Sequence, residues 1–217
     1  MTAAHSARAS ILARLRRGQV SPLPAPTLDT WTSQLDQAEY LHSLETQLTA
    51  AHAEVLHAGP QGWRLALEQV CARYGIRQLM LPDMPGLLSA WEGGPALQTF
   101  DQPMEALKDP LFDQVDAGLT LATCAIADTG TLVILSSPAQ PRSLSLVPPV
   151  HICLLDARRL YPDMPTALAE ERWAAAMPTN LIFVSGPSKT ADIQQTLAYG
   201  AHGPKSLVVI LTEEDLL

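Results

Sequence analysis

Residues 180–204 read Asn-Leu-Ile-Phe-Val-Ser-Gly-Pro-Ser-Lys-Thr-Ala-Asp-Ile-Gln-Gln-Thr-Leu-Ala-Tyr-Gly-Ala-His-Gly-Pro. The apolar run 181–184 has the length of a strand filling a sheet interior. Ser185-Gly186-Pro187 releases it, because glycine admits a tight turn and proline cannot continue a strand ladder. Pro187 suits the first turn of a helix, where its missing N–H costs nothing, and Ser185 or Ser188 can cap the free amides. This reading predicts a helix N-terminus at the carboxyl end of a strand, with Ser188, Lys189 and Thr190 on its first turn, where an anion is favoured. A second polar turn then holds His202 between Gly200 and Gly203.

Outward from that stretch, strands and helices alternate. Residues 206–211, Ser-Leu-Val-Val-Ile-Leu, form a buried strand, and residues 162–176 an amphipathic helix capped by Asp163 or Thr166. His151 opens a strand over 151–155, preceded by a proline-broken polar loop that carries Arg142. Two apolar runs between Ala117 and Ser137 are hinged at Asp128-Thr129-Gly130, a hairpin that makes part of the sheet antiparallel. Strands are expected at 77–82 and 96–100 with a helix over 84–91 between them, and a helix over 61–74 stops at Gly75. Leu35, Ala38, Leu41, Leu44, Leu48, Ala51 and Val55 recur every three or four residues, predicting one long helix from Thr32 to about His57. Its stripe either packs on the domain or presents a coiled-coil face to a partner.

Alternation with short connections gives an α/β, three-layer fold: a mixed, mostly parallel sheet with helices on both faces. Residues 3–17 form a helical extension ended at Gly18, and Pro22, Pro24 and Pro26 force an extended linker. The expected domains are therefore the N-terminal helix and linker over 1–30 and one α/β domain over 31–217, with 31–75 as its helical lead-in.

Composition narrows the partners. The 217 residues carry 14 basic against 22 acidic side chains, a net charge of −8, which disfavours nucleic acid because such binding needs a basic face. No run of 18 apolar residues occurs, so the chain reads as cytoplasmic, with no membrane partner. Cys71, Cys124 and Cys153 are widely separated and form no Cys-x-x-Cys pair, the usage of buried small hydrophobes in a reducing compartment.

Four motifs in order carry a resemblance: Asp128-Thr-Gly-Thr131; Arg142 with Ser143 and Ser145 ahead of Pro148 and His151; Ser185-Gly-Pro-Ser-Lys-Thr-Ala-Asp-Ile193; and Gly200-Ala-His-Gly-Pro204. Together they resemble the LUD-domain family, in its lactate-utilisation protein C branch, strongly over residues 75–217 and loosely before them. The resemblance implies the fold group of sugar-phosphate isomerases and coenzyme A transferases. It also implies participation in oxidising L-lactate to pyruvate beside partner proteins that carry iron–sulfur clusters, with no cofactor in this chain. Whether the chain is itself an enzyme, a non-catalytic assembly or binding subunit, or a transferase-like or isomerase-like protein of the same fold group stays open, as does its oligomeric state.

The motifs supply the candidate site. His151 and His202 either transfer a proton from a hydroxy acid, ligate a metal, or serve as hydrogen-bonded structural groups. Being far apart in sequence they are no metal motif, and no metal ligand set is proposed. Asp128, with Thr129, Gly130 and Thr131, either orients a hydroxyl ligand or closes a turn on its own backbone. Arg142 is either a surface arginine or, as the resemblance implies, holds a carboxylate or phosphate in two-point fashion, aided by Ser185, Gly186, Ser188, Lys189 and Thr190. Gly186 to Thr190 ends like a nucleotide-triphosphate loop, yet Ser188 stands where that loop needs glycine. Asp192 and Gly203 complete the set as supporting residues, with Asp192 a turn into the expected helix.

Overall fold

The structure, a computed structural model, describes residues 3–18, 32–59, 62–87, 94–175, 177–191, 197–200, 202–214 and 216. The chain divides into two compact units, Met1–Trp31 and Thr32–Leu217. In the first, helix α1 (Ala3–Arg17) carries Arg14, Arg16 and Arg17 in its last turn, where cations suit the negative end of the helix dipole. The prolines expected to form a linker lie outside the described residues.

In chain order the second unit runs α2 (Tyr40–Ala50), β1 (Glu54–His57), α3 (Trp63–Tyr74), β2 (Gln78–Leu81), β3 (Ala96–Thr99), α4 (Met104–Asp113) and β4 (Ala117–Leu121). It continues through β5 (Cys124–Ile126), β6 (Thr131–Ser136), α5 (Ser143–Leu146), β7 (Val150–Asp156), β8 (Leu160–Tyr161) and α6 (Met164–Glu171). Strands β9 (Asn180–Val184), β10 (Lys189–Ala191), β11 (Leu197–Tyr199) and β12 (Ser206–Thr212) complete it.

Six strands in the order β1-β12-β7-β4-β2-β3 form one sheet whose neighbouring pairs are all parallel. A parallel sheet is covered on both faces, which is why β7 and β12 are near-continuous apolar runs. On one face Leu119, Ile152, Leu154, Val208 and Ile210 meet Leu67, Val70 and Cys71 of α3. On the other, Cys153, Leu155, Leu207 and Val209 meet Leu44 and Leu48 of α2 and Leu132 and Ile134 of β6, while α4 adds Leu107 and Leu111 against Met80. Each fully buried leucine contributes about 2 kcal/mol by leaving water. The expected α/β architecture, a mostly parallel sheet with helices on both faces, is what the chain adopts.

A smaller sheet, ordered β8-β5-β6-β9, lies over the second face, with Ala167 of α6 and Trp173 of the 3-10 turn after it covering its far side. The expected hairpin is there: β5 and β6 pair antiparallel across Gly130 at φ 60°. The run from Ala117 is shared between two sheets, however, since β4 belongs to the parallel sheet and β5 to the small one.

Several expectations are corrected. The stripe from Leu35 to Val55 is not one helix: a short 3-10 turn (Gln37–Glu39) leads into α2, His52 turns the chain at φ 68°, and Glu54–His57 pairs with β12. Leu44 and Leu48 are fully buried, so this stripe packs on the domain and is no coiled-coil face. Strand β9 is a half-buried edge strand, not a sheet interior, because only β6 pairs with it. Among the described residues no helix follows Pro187: Lys189–Ala191 form β10, which pairs antiparallel with β11. The helix over 162–176 stops at Glu171, where Arg172 takes φ 51°, and α4 adds a helix that the apolar spacing did not single out. Of the helix expected over 84–91, residues 85–87 form a turn and 88–91 lie outside the described residues.

Candidate functional site

The site grows from a missing side chain. Gly118 of β4 lies beside His151 of β7, and Leu207 of β12 flanks His151 on its other side. A Cβ on Gly118 would stand 2.1 Å from the Leu144 carbonyl oxygen, so only glycine lets α5 lie this close to the sheet. That approach brings Ser145 of α5 to the amino ends of β7 and β12. Its hydroxyl donates to the Arg142 carbonyl at 3.0 Å, which fixes the short helix.

Around His151 a cleft of about 240 Å³ opens, lined by Ser145 and Leu146 of α5, the outer half of β9, Ser185, Gly186 and Ser188 of the turn after it, and His202, Gly203 and Pro204 before β12. The two turns are stitched together: the Ser188 amide donates to the Pro204 carbonyl at 2.9 Å, and the Gly200 amide to the Ser188 carbonyl at 2.8 Å. Gly186 packs on the end of α2, where a Cβ would meet the Ala51 carbonyl oxygen at 2.8 Å. Thr131 stands one bond behind the cleft, its hydroxyl 2.9 Å from Ser185 Oγ and 2.8 Å from Thr129 Oγ1.

His151 is 1% exposed, and its Nε2 lies 2.8 Å from the hydroxyl of the equally buried Thr120. Burial pushes its pKa down to about 3, so the imidazole is neutral near pH 7. It offers the cleft a hydrogen-bonding ring rather than a charge. His202 is exposed at the opposite wall. With Ser145, Ser185 and Ser188 these groups set a few hydrogen-bonding side chains among apolar ones, Leu146, Ile182, Phe183, Val184 and Leu207, and no lysine or arginine lines the cleft among the described residues.

Of the residues singled out in sequence, the fold brings His151, His202, Ser185, Gly186, Ser188 and Gly203 to one cleft, with Thr131 in contact behind it. It does not bring Arg142, which is exposed at the start of α5, nor Lys189, exposed on β10. The expectation that the 185–190 turn opens a helix is overturned, because Lys189–Ala191 enter a hairpin instead. Thr190 belongs to that hairpin's backbone, and Asp192 lies outside the described residues.

Asp128 faces a different neighbour. Its amide donates to the Pro162 carbonyl at 3.1 Å, and its Oδ1 is buried without a hydrogen-bond partner. Burial raises its pKa, and the nearby Asp163 carboxylate raises it further. Burial also opposes ionisation of Asp163, but the Ser33 and Thr166 amides, at 2.7 and 2.8 Å, outweigh it and hold that carboxyl below its ordinary value. Asp163 thereby caps α6. Two residues were missed as site members: Ser145, visible only as part of the Arg142 motif, and Thr120, which reaches His151 across the sheet and leaves no local signal.

The three cysteines sit in three different core clusters, all as free thiols. Burial pushes the Cys71 thiol up to about 11 and those of Cys124 and Cys153 to about 12, so each is held protonated. No group of three His, Cys, Asp or Glu side chains poised for a metal occurs among the described residues. No helix among them is long and apolar enough to cross a membrane.

The fold is shared with a crystal structure of a DUF162 family protein from Deinococcus radiodurans, at a TM-score of 0.61 and 24% identity over 82% of this chain and 99% of that one. The LUD domain model matches residues 41–212, and the chain belongs to that family. It is 35% identical to the uncharacterized protein NMB1437 of Neisseria meningitidis serogroup B, over 94% of this chain and 93% of that protein. It is also 28% identical to Lactate utilization protein C of Halalkalibacterium halodurans, over 81% of this chain and 80% of its relative.

Proposed function

We propose that this chain is a subunit of a system that oxidises L-lactate to pyruvate, and that it binds a small carboxylate in the cleft around His151. The observation that carries the reading is the convergence of His151, His202, Ser145, Ser185 and Ser188 on about 240 Å³, a volume suited to a ligand of a few heavy atoms. Relatives named lactate utilization protein C, aligned over most of both chains, supply the substrate class.

The hydroxyls and His202 would receive the carboxylate, while neutral His151, steadied by Thr120, would hydrogen-bond the hydroxyl or keto oxygen. Oxidation of lactate releases two electrons and two protons, and in this reading the electrons pass to iron–sulfur partner proteins. The singly buried, protonated cysteines of this chain are consistent with that division of labour. A cell that lacks this chain should fail to grow on L-lactate and recover when it is restored; unimpaired growth on L-lactate without it would overturn the proposal.

A second reading, a non-catalytic assembly subunit, is favoured by two apolar side chains at the cleft mouth, Leu146 at 43% and Phe183 at 46% exposure. Its mark would be partner binding that survives loss of the cleft hydroxyls and fails in Phe183→Asp.

A further inference from the structure

The parallel sheet has a second open end, where the cleft residues play no part. In the order β1-β12-β7-β4-β2-β3, the chain leaves β2 for the edge strand β3, but leaves β4 for β7 in the opposite direction. Connections that diverge from adjacent parallel strands leave a crevice outside their carboxyl ends, the usual place for a ligand in an open α/β sheet. In this protein a cavity of about 410 Å³ lies there, touching Met84 after β2, Leu121 at the end of β4 and Asp156 at the end of β7.

The cavity is preformed. Gln140, 4% exposed, accepts from the Leu121 amide at 2.8 Å and donates to the Leu121 and Leu135 carbonyls at 3.0 and 3.3 Å, tying β4 to β6 beneath it. The loop after β2 is tied to the same segment, since the Asp83 amide donates to the Ala139 carbonyl at 2.7 Å. Leu121, Leu135 and Met84 give it apolar walls, and a pocket of this size and character takes a small organic molecule.

One edge carries charged side chains in pairs, Arg159 with Glu171 and Arg158 with Asp156. Arg159 donates from Nε to the Thr123 carbonyl and from one terminal nitrogen to Glu171, which leaves further N–H donors of its fork for a ligand. The Asp156 carboxylate beside it is already bound at both oxygens by Arg158, at 2.8 Å each, so its charge is offset.

We propose that this carboxyl-end cavity is a second ligand site, separate from the His151 cleft, for a small molecule with an apolar body and one anionic group set against Arg159. The probe is anilinonaphthalene sulfonate, titrated into the intact chain labelled with 13C at the methionine methyls, beside the neutral ring analogue N-phenyl-1-naphthylamine. Saturable binding that shifts the Met84 methyl resonance is expected. Arg159→Gln should weaken the sulfonate about tenfold, the value of one charge-assisted hydrogen bond, and leave the neutral analogue unchanged. Leu135→Trp, which fills the cavity, should abolish both. An unmoved Met84 signal overturns the proposal, as does equal weakening of both dyes in a folded Arg159→Gln chain.

Discussion

The two ends of the six-stranded sheet are built on different chemistry. At the amino ends of β7 and β12, three serines and two histidines stand among apolar side chains around a cleft of about 240 Å³, while at the carboxyl ends of β4 and β7 apolar walls with Asp156 and Arg159 at their edge flank an open cavity of about 410 Å³. The carboxyl end is where a parallel sheet by itself offers a ligand site. The amino-end cleft exists because other elements were laid over the sheet: β9 and the turn after it form one wall, and α5, admitted by Gly118, forms another. The serine hydroxyls come with the added elements, and the ionised side chains gather at the carboxyl ends of the sheet.

The largest way to break that contrast is Gly118→Val. Its side chain would drive into the Leu144 backbone, so we expect a loss of more than about 3 kcal/mol in urea unfolding, with α5 displaced and the cleft lost. A cost below about 1 kcal/mol would show that α5 yields readily and that Gly118 does not shape the cleft.

Next in size is an acid limb of stability owed to His151. Its pKa falls from 6.5 to about 3 on folding, so the unfolded chain takes up the proton first. This contribution is fully present above pH 6.5 and is lost as pH drops toward 3, with a slope of about 1.4 kcal/mol per pH unit. In His151→Phe that part of the slope should vanish; an unchanged acid limb would contradict a buried neutral imidazole.

Asp128→Asn should move stability the other way, and less. The raised pKa of Asp128 means its ionisation opposes folding, an effect that grows as pH rises through the folded value. The amide should therefore stabilise the chain at pH 7, with the gain gone below the ordinary carboxyl range near 3.8. Smallest of all, Phe183→Ala should change stability by under about 0.5 kcal/mol, since the side chain is 46% exposed, yet alter ligand or partner binding at the cleft mouth.

How much of this was legible in the sequence depended on whether the signal was local. The buried strands β7 and β12, the Asp163 cap and the Gly75 stop follow from apolar runs and from capping residues, and these were read correctly. The stripe into Val55 misled because three-residue and two-residue spacings coincide over so short a segment as Glu54–His57; only pairing with β12 decides between them. Pro187 misled because a residue at φ near −65° serves a turn into a strand as well as a helix start. Motif order put both histidines and the Ser185 turn in the candidate set, and the fold gathers them at one cleft. The same order also enrolled Arg142 and Lys189, whose side chains are exposed and do not line the cleft, because a motif records neighbours along the chain and not what each side chain meets in space.

The most direct measurement is a calorimetric titration of L-lactate and pyruvate into the purified chain, repeated on Ser185→Ala with His202→Ala. The account predicts saturable binding of at least one of the two acids and its loss in the double variant, with the melting temperature of the unliganded chain little changed because both side chains lie at the cleft rim. Absence of binding to the native chain, or binding that the double variant keeps, would contradict the claim that the amino-end cleft is the carboxylate site.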